Sequence, residues 1–335
     1  MQATTKYQPP FWVVSARWLL SLYLVVPLCL LVVLIDYSLF DLQLRRYYLP
    51  VKPTDWAWWA IVFGTPHILA SFFSYADREY LDYYKGSFFP LIVLTALIGC
   101  GLPFLIGGGA FLVFFAVTTM YHVLSQQFGI AISLSRIKPG KAFLGWKIFA
   151  TSSASIVFIW IFSPGSIIAG LSYLGVGNAF ITVLATCVIL LGIASYCSWL
   201  LVKSSKTAMG SWFIVSNNVM LWCCLLLMVW GYSVFVIMIP RIIHDITAFS
   251  VYIVHDQNRL SSKASNVLYR LSALLYFPPL VVCPLLALSL SFWLSNTPSM
   301  AVIMVLNTLT FLHYFNESRI WKGGSLHRQS MSFSS

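Results

Sequence analysis

Four histidines carry the chemistry that this sequence can do. His67 lies in GTPHILAS, His122 in TTMYHVLSQQFG, His244 in PRIIHDITAFSVYIVHDQNR and His313 in TLTFLHYFNESRIWK. Each is set in an apolar stretch, where strongly polar side chains are costly and are kept for function or for helix pairing. Helical spacing puts further polar residues on the same stripe in every case. His67 aligns with Ser71, Ser74 and Arg78, and His122 with Thr118, Thr119, Gln126, Gly129 and Ser133. His244 aligns with Arg241, Ala248, Tyr252, His255 and Arg259, within an arc of about 120° at ~100° per residue. His313 shares its face with Thr310 and Glu317, while Asp245 and Asp256 follow a histidine directly and lean to the edge of their stripe.

Imidazoles without many carboxylates favour iron, copper or zinc over magnesium or calcium. Reach limits the ligand set. His244 and His255 are about 16 Å apart along an unbroken helix, whereas metal–nitrogen bonds are near ~2 Å. A single site therefore takes His67, His122, His244 and His313, with His255 and Asp256 at its mouth. Glu317 would be a further ligand, an orienting partner or a proton-transfer group, and Asp245 and Tyr252 would join it in moving protons. Arg241 would face an anion, either Asp245, a substrate carboxylate or a lipid phosphate, and Gln126 and Ser71 would line the cavity. The competing reading of each lone histidine is interhelical hydrogen bonding, and of each serine a bond back to its own helix.

Composition dictates the elements that must hold these residues. Of 335 residues, 59% are hydrophobic and 9% charged, with a mean hydropathy of +0.84. A soluble domain carries roughly 25% charged residues, so soluble enzymes, disordered chains and disulfide-stapled modules are excluded. A spanning helix needs about 20 residues. The chain predicts an all-α, polytopic integral membrane bundle of about ten transmembrane helices, forming a single transmembrane domain over residues 1–335. The expected spans lie near 18–35, 56–75, 88–106, 110–133, 143–162, 179–202, 211–230, 233–255, 268–294 and 298–321, with Pro240, Pro278, Pro279 and Pro284 kinking theirs. The first run reads as a retained helix rather than a cleaved signal.

The net charge of +11 comes from basic residues scattered between apolar runs, which points away from nucleic acid. With the N-terminus inside, sixteen of the twenty Lys and Arg fall in cytoplasmic segments, three fall outside and Arg241 lies within a span. That asymmetry predicts a cell-membrane protein with both termini cytoplasmic. The even-numbered spans hold five of the six histidines, so a polar chamber is expected in the inner half of the bundle. The basic C-terminal tail reads as solvated or lipid-facing, and the seven cysteines read as reduced thiols in apolar runs.

Gly64, Pro66 and His67 resemble the Gly-x-Pro-His opening of the membrane-embedded beta-carotene 15,15'-dioxygenase (Brp/Blh-type) family, as do the helix number and the scattered histidines. The resemblance implies a non-haem iron held by histidines on several membrane helices, cleavage of an isoprenoid with O2, and a ligand role for His67. Together these expectations describe a His-ligated iron oxidoreductase, oxygenase-like, whose partners are membrane lipids and a hydrophobic small-molecule substrate. Zinc, copper or haem are the alternative groups. A membrane transporter or proton-coupled permease using the same stripes, and a non-catalytic scaffold, are the rival functions.

Overall fold

A computed structural model describes residues 12–50, 55, 62, 64–261, 266–274, 279–297, 299–322 and 324–334. These residues are almost wholly helical. Six helical stretches among them are long and apolar enough to cross a membrane: Ala16–Leu39 (α1), Arg78–Ser135, Lys141–Phe162 (α5), Ala179–Ser204 (α7), Ala208–Val229 (α8) and Ser233–Leu260. The 58-residue stretch Arg78–Ser135 contains the expected third and fourth spans. It consists of Arg78–Ala96 (α3), a wide turn at Leu97–Gly101, and Leu102–Ser135 (α4), which is broken at Gly107. There φ is 79° and ψ is 156°, a backbone conformation that only glycine adopts cheaply.

Thr65–Ala70 (α2) carries His67, and residues 56–61 and 63 of the expected second span, 56–75, lie outside the described residues. Pro164–Tyr173 (α6) is a short, exposed helix between α5 and α7. Ser233–Ser261 (α9) continues through Pro240. The described residues of the expected ninth span form Val267–Leu274 (α10) and Pro279–Ser295 (α11), the latter with Pro284 inside, and residues 275–278, with Pro278, lie outside the described residues. Met300–Ile320 (α12) covers the stretch expected as the tenth span but is not among the six above, and Leu326–Gln329 (α13) follows it.

Two compact units emerge. Among the described residues, one comprises Trp12–Ser15, Gly64–Cys100 and those of 247–334, and the other comprises those of 16–62 and Gly101–Ile246. In the first, α11 packs on α2 and α10, and α12 packs on α3 and α2. Ala70, Phe73, Ala248, Tyr252, Tyr269, Cys283 and Ala287 form a core there. A close approach at Gly99 sets the position of α12, since a Cβ at that residue would lie 2.6 Å from the Thr308 backbone nitrogen. Val14–Ser15 (β1) pairs in parallel with Phe333–Ser334 (β2).

In the second unit α5 lies along α7, α4 packs on α8 and α5, and α1 packs on α8. Ala116, Met120, Phe158 and Ile159 form a core between α4 and α5.

Two expectations are corrected. The His67 stripe does not reach Arg78, because the helix ends at Ala70 and gives way to a 3₁₀ turn at Phe73–Ala76. Asp77 then takes an extended conformation and caps α3 by accepting from the Glu79 N–H. Arg78 is exposed and lies 3.8 Å from Asp82. Nor is the C-terminal tail simply solvated. Ser325 caps α13, His327 is buried, and β2 ties the segment to β1.

Candidate metal centre

The local sequence explains how His67 is presented. Gly64 precedes α2 with φ of 89°, Pro66 sits in the first turn, where its missing N–H costs nothing, and His67 comes next. The His67 ring meets the ring of His313, from α12, edge to face, with centroids 4.8 Å apart and planes at 81°. The Ser71 hydroxyl donates to the Ile68 carbonyl at 2.6 Å, so towards His313 it accepts, taking the Nδ1–H at 2.9 Å. A neutral imidazole has a single N–H, so this bond leaves Nε2 of His313 as the nitrogen that bears a lone pair.

That Nε2 lies 3.9 Å from Glu317 Oε2, and a lone-pair nitrogen beside a carboxylate is suited to a shared cation. Glu317 Oε1 in turn accepts from the Tyr252 hydroxyl and, at 3.3 Å, from the Trp321 indole N–H. The carboxylate is therefore held in place by two aromatic donors.

His122 on α4 and His244 on α9 form a second edge-to-face pair, with centroids 5.0 Å apart and planes at 80°. Ahead of His244, Arg241 donates from Nε to Asp245 Oδ2 at 3.1 Å, so among the three anions expected for Arg241 the structure provides Asp245. All four histidines are buried, and one ligand nitrogen from each lies within 4.8 Å of the others. The expected convergence of His67, His122, His244 and His313 is thus present as a buried four-histidine cluster that can hold a metal ion.

The remaining site residues are arranged differently. Ser71 orients His313, Tyr252 bonds Glu317, and Gln126 is only partly buried. The neighbouring Gln127 is the deeply buried amide, and it accepts from the Tyr23 hydroxyl at 3.1 Å. His255 and Asp256 are buried rather than placed at a mouth. His255 joins the Tyr80 hydroxyl through Nε2 at 2.8 Å and Asp256 through Nδ1 at 3.0 Å, while Asp256 also accepts from Tyr269.

His327, from the tail expected to be solvated, completes this second assembly. Its nitrogens meet Tyr84 at 3.2 Å and Ser74 at 2.8 Å, and its ring stacks on Tyr80 at 4.0 Å and on His255 at 5.0 Å. Burial, then the nearby His255 and Arg259, push the His327 imidazole down to about 2. It is held neutral. Both ring nitrogens of His255 and of His327 are thus engaged by neighbouring side chains.

In comparisons with known proteins, no family model matches the chain, and neither does a curated protein or a solved structure.

Proposed function

We propose that this chain is an integral membrane metalloenzyme in which His67, His122, His244 and His313 hold one transition-metal ion. In this reading the ion is non-haem iron, serving an oxygenase-like oxidation of a lipid or isoprenoid. The observation that carries it is the buried cluster of four imidazoles. With metal–nitrogen bonds of ~2.1 Å, nitrogens on one ion lie ~3.4 Å apart in a tetrahedron and ~4.2 Å apart when in line, so side-chain shifts of about an ångström or less would bring nitrogens at most 4.8 Å apart onto a common ion. The donor set fits iron, copper or zinc. Four imidazoles would complete the tetrahedron of a structural zinc site, whereas iron commonly keeps further positions open. Iron so held would supply one-electron and O2 chemistry.

The protein's own groups would prepare the site. Ser71 presents the Nε2 lone pair of His313, and Arg241 neutralises Asp245 beside His244. Glu317, fixed by Tyr252 and Trp321, would hold a proton next to His313. Apolar helices would keep water from reactive species. The likeness of Gly64, Pro66 and His67 to the Brp/Blh-type opening supports an isoprenoid among hydrophobic substrates. The Lys and Arg asymmetry supports ten spans with both termini cytoplasmic, in the cell membrane.

Elemental analysis of the detergent-purified protein tests the proposal. The expected result is iron at one ion per chain, lost in His67→Ala and His313→Ala variants that stay monodisperse. Stoichiometric zinc would make the site structural, and a monodisperse wild-type protein without metal would end the reading altogether.

A further inference from the structure

A separate feature lies at one end of the second unit. The chain leaves α4 at Ser135 and enters α5 at Lys141, and it leaves α7 at Ser204 and enters α8 at Ala208. These two connections are far apart in sequence, yet they are bonded together. The Lys206 N–H donates to the Ser135 carbonyl at 3.0 Å, and the Thr207 hydroxyl donates to the Leu134 carbonyl at 2.6 Å. Gly210 permits the approach, because a Cβ there would lie 2.3 Å from the Ser135 Cα. Alongside, Gly145 on α5 faces Cys197 on α7, with room for no more than a hydrogen, since a Cβ would fall 2.9 Å from the cysteine sulfur.

The result is a shared end of four apolar helices on which Arg136, Lys138, Lys141, Lys147, Lys203 and Lys206 gather. Segments 134–147 and 203–210 contain no Asp or Glu. Arg136, Lys138, Lys141, Lys203 and Lys206 are exposed. Among the described residues none of the six forms an ion pair, whereas Arg46, Arg78, Lys85, Arg241 and Arg259 each have a carboxylate within 4.0 Å. Two of the cations rest on aromatic rings one turn or more inward. Lys203 sits 3.7 Å from the Trp199 ring centre, and Lys147 sits 4.1 Å from that of Tyr121 while donating to its hydroxyl at 2.8 Å. Exposed Trp199 and Trp212 lie within about two turns of this end, where amphipathic rings favour the headgroup layer.

We infer that this end is a binding surface for anionic phospholipid headgroups. Six uncompensated cations at a membrane face draw negative lipid, whose phosphates they meet while the acyl chains lie along the apolar helices. Pinning Lys203 and Lys147 on aromatic rings reduces the side-chain entropy lost on binding. The inference is independent of the metal site.

Native mass spectrometry of the full-length protein in mild detergent, titrated with phosphatidylglycerol or phosphatidylcholine, tests it. Wild type should retain phosphatidylglycerol roughly tenfold more strongly, given a several-fold gain per cation near a charged surface. Lys138→Gln/Lys206→Gln should erase most of that preference, and Lys322→Gln should keep it. Equal retention of the two lipids by wild type would overturn the inference without any variant. So would displacement of the lipid by millimolar inorganic phosphate, which would mean that only a free anion binds. A preference that persists in the Lys138→Gln/Lys206→Gln protein would likewise overturn it.

Discussion

Ser71 and His313 are 242 residues apart in the chain, yet the serine hydroxyl accepts the histidine Nδ1–H at 2.9 Å. The serine's own proton is committed to the Ile68 carbonyl, so the pair fixes which imidazole nitrogen bears the lone pair. Partners of this kind typically account for 10–100-fold in metal affinity. Ser71→Ala is expected to weaken retention of the proposed metal ion by about that factor, read by dialysis against a graded chelator series. Ser71→Thr, which keeps the hydroxyl, should restore it. Unchanged retention in Ser71→Ala would show that His313 needs no such anchor.

Close backbone packing makes a second prediction. Gly99 lets α12 approach until Thr308 backbone atoms occupy the space where a side chain would begin. Gly99→Ala must push α12 away, and α12 carries His313 and Glu317. An overpacked site typically costs ~1–3 kcal/mol, and the variant should also bind less metal. Gly86, which has nothing within 4 Å of an added Cβ, is the control. Gly86→Ala should leave the melting temperature and the metal content as they are. Melting by nanoscale fluorimetry with parallel elemental analysis would separate the two variants.

How much of this was legible in the sequence depends on how far each contact reaches along the chain. The stripes of α9 and α12 were readable because they depend on helical spacing within one segment, and Ala248, Tyr252, His255 and Glu317 are indeed buried. The stripe drawn through His67 to Arg78 failed because it extended one helix across a break. An Asp followed two residues later by Glu, the capping signal at Asp77, stood in the sequence to mark it. Gln127 was missed in favour of Gln126 because strict four-residue spacing from His122 selects 126, while the buried face of α4 is wider and takes in the residue that meets Tyr23. His327 had no periodic neighbour to betray it. Its burial comes from Ser74, Tyr80 and Tyr84, 243–253 positions earlier, and from His255 on α9. Single-chain spacing carries no trace of such pairings.

Arg259 offers a contrast between two carboxylates. Its guanidinium donates to Asp77 at 2.6 Å and to Glu79 at 2.7 Å, but Asp77 is buried and Glu79 is exposed. Removing the arginine takes the countercharge from a buried carboxylate, which typically costs up to ~3–5 kcal/mol. Losing an exposed partner costs under ~1 kcal/mol. Arg259→Ala should therefore unfold at markedly lower temperature or denaturant, and Glu79→Ala should be close to wild type. Equal, small effects from the two would mean that Asp77 is not truly desolvated.

The last prediction concerns acid. His327 is held neutral among Ser74, Tyr80, Tyr84, His255 and Arg259, its imidazole pushed down to about 2 by burial and by the neighbouring His255 and Arg259. In the unfolded chain the same group protonates near its ordinary value of ~6.5. Between these two values the unfolded state binds the extra proton, so stability rises with pH across that window and declines as pH falls below ~6.5. The contribution is fully present above ~6.5 and drains away progressively towards about 2. His327→Phe keeps an aromatic face against Tyr80 but cannot titrate, at the expense of the bonds to Ser74 and Tyr84. The variant should start less stable at pH 7.5 and lose less on going to pH 5, so that the two melting curves draw together in acid. Parallel curves across the range would mean that His327 already carries its proton in the folded protein, and that the stack on Tyr80 tolerates the charge.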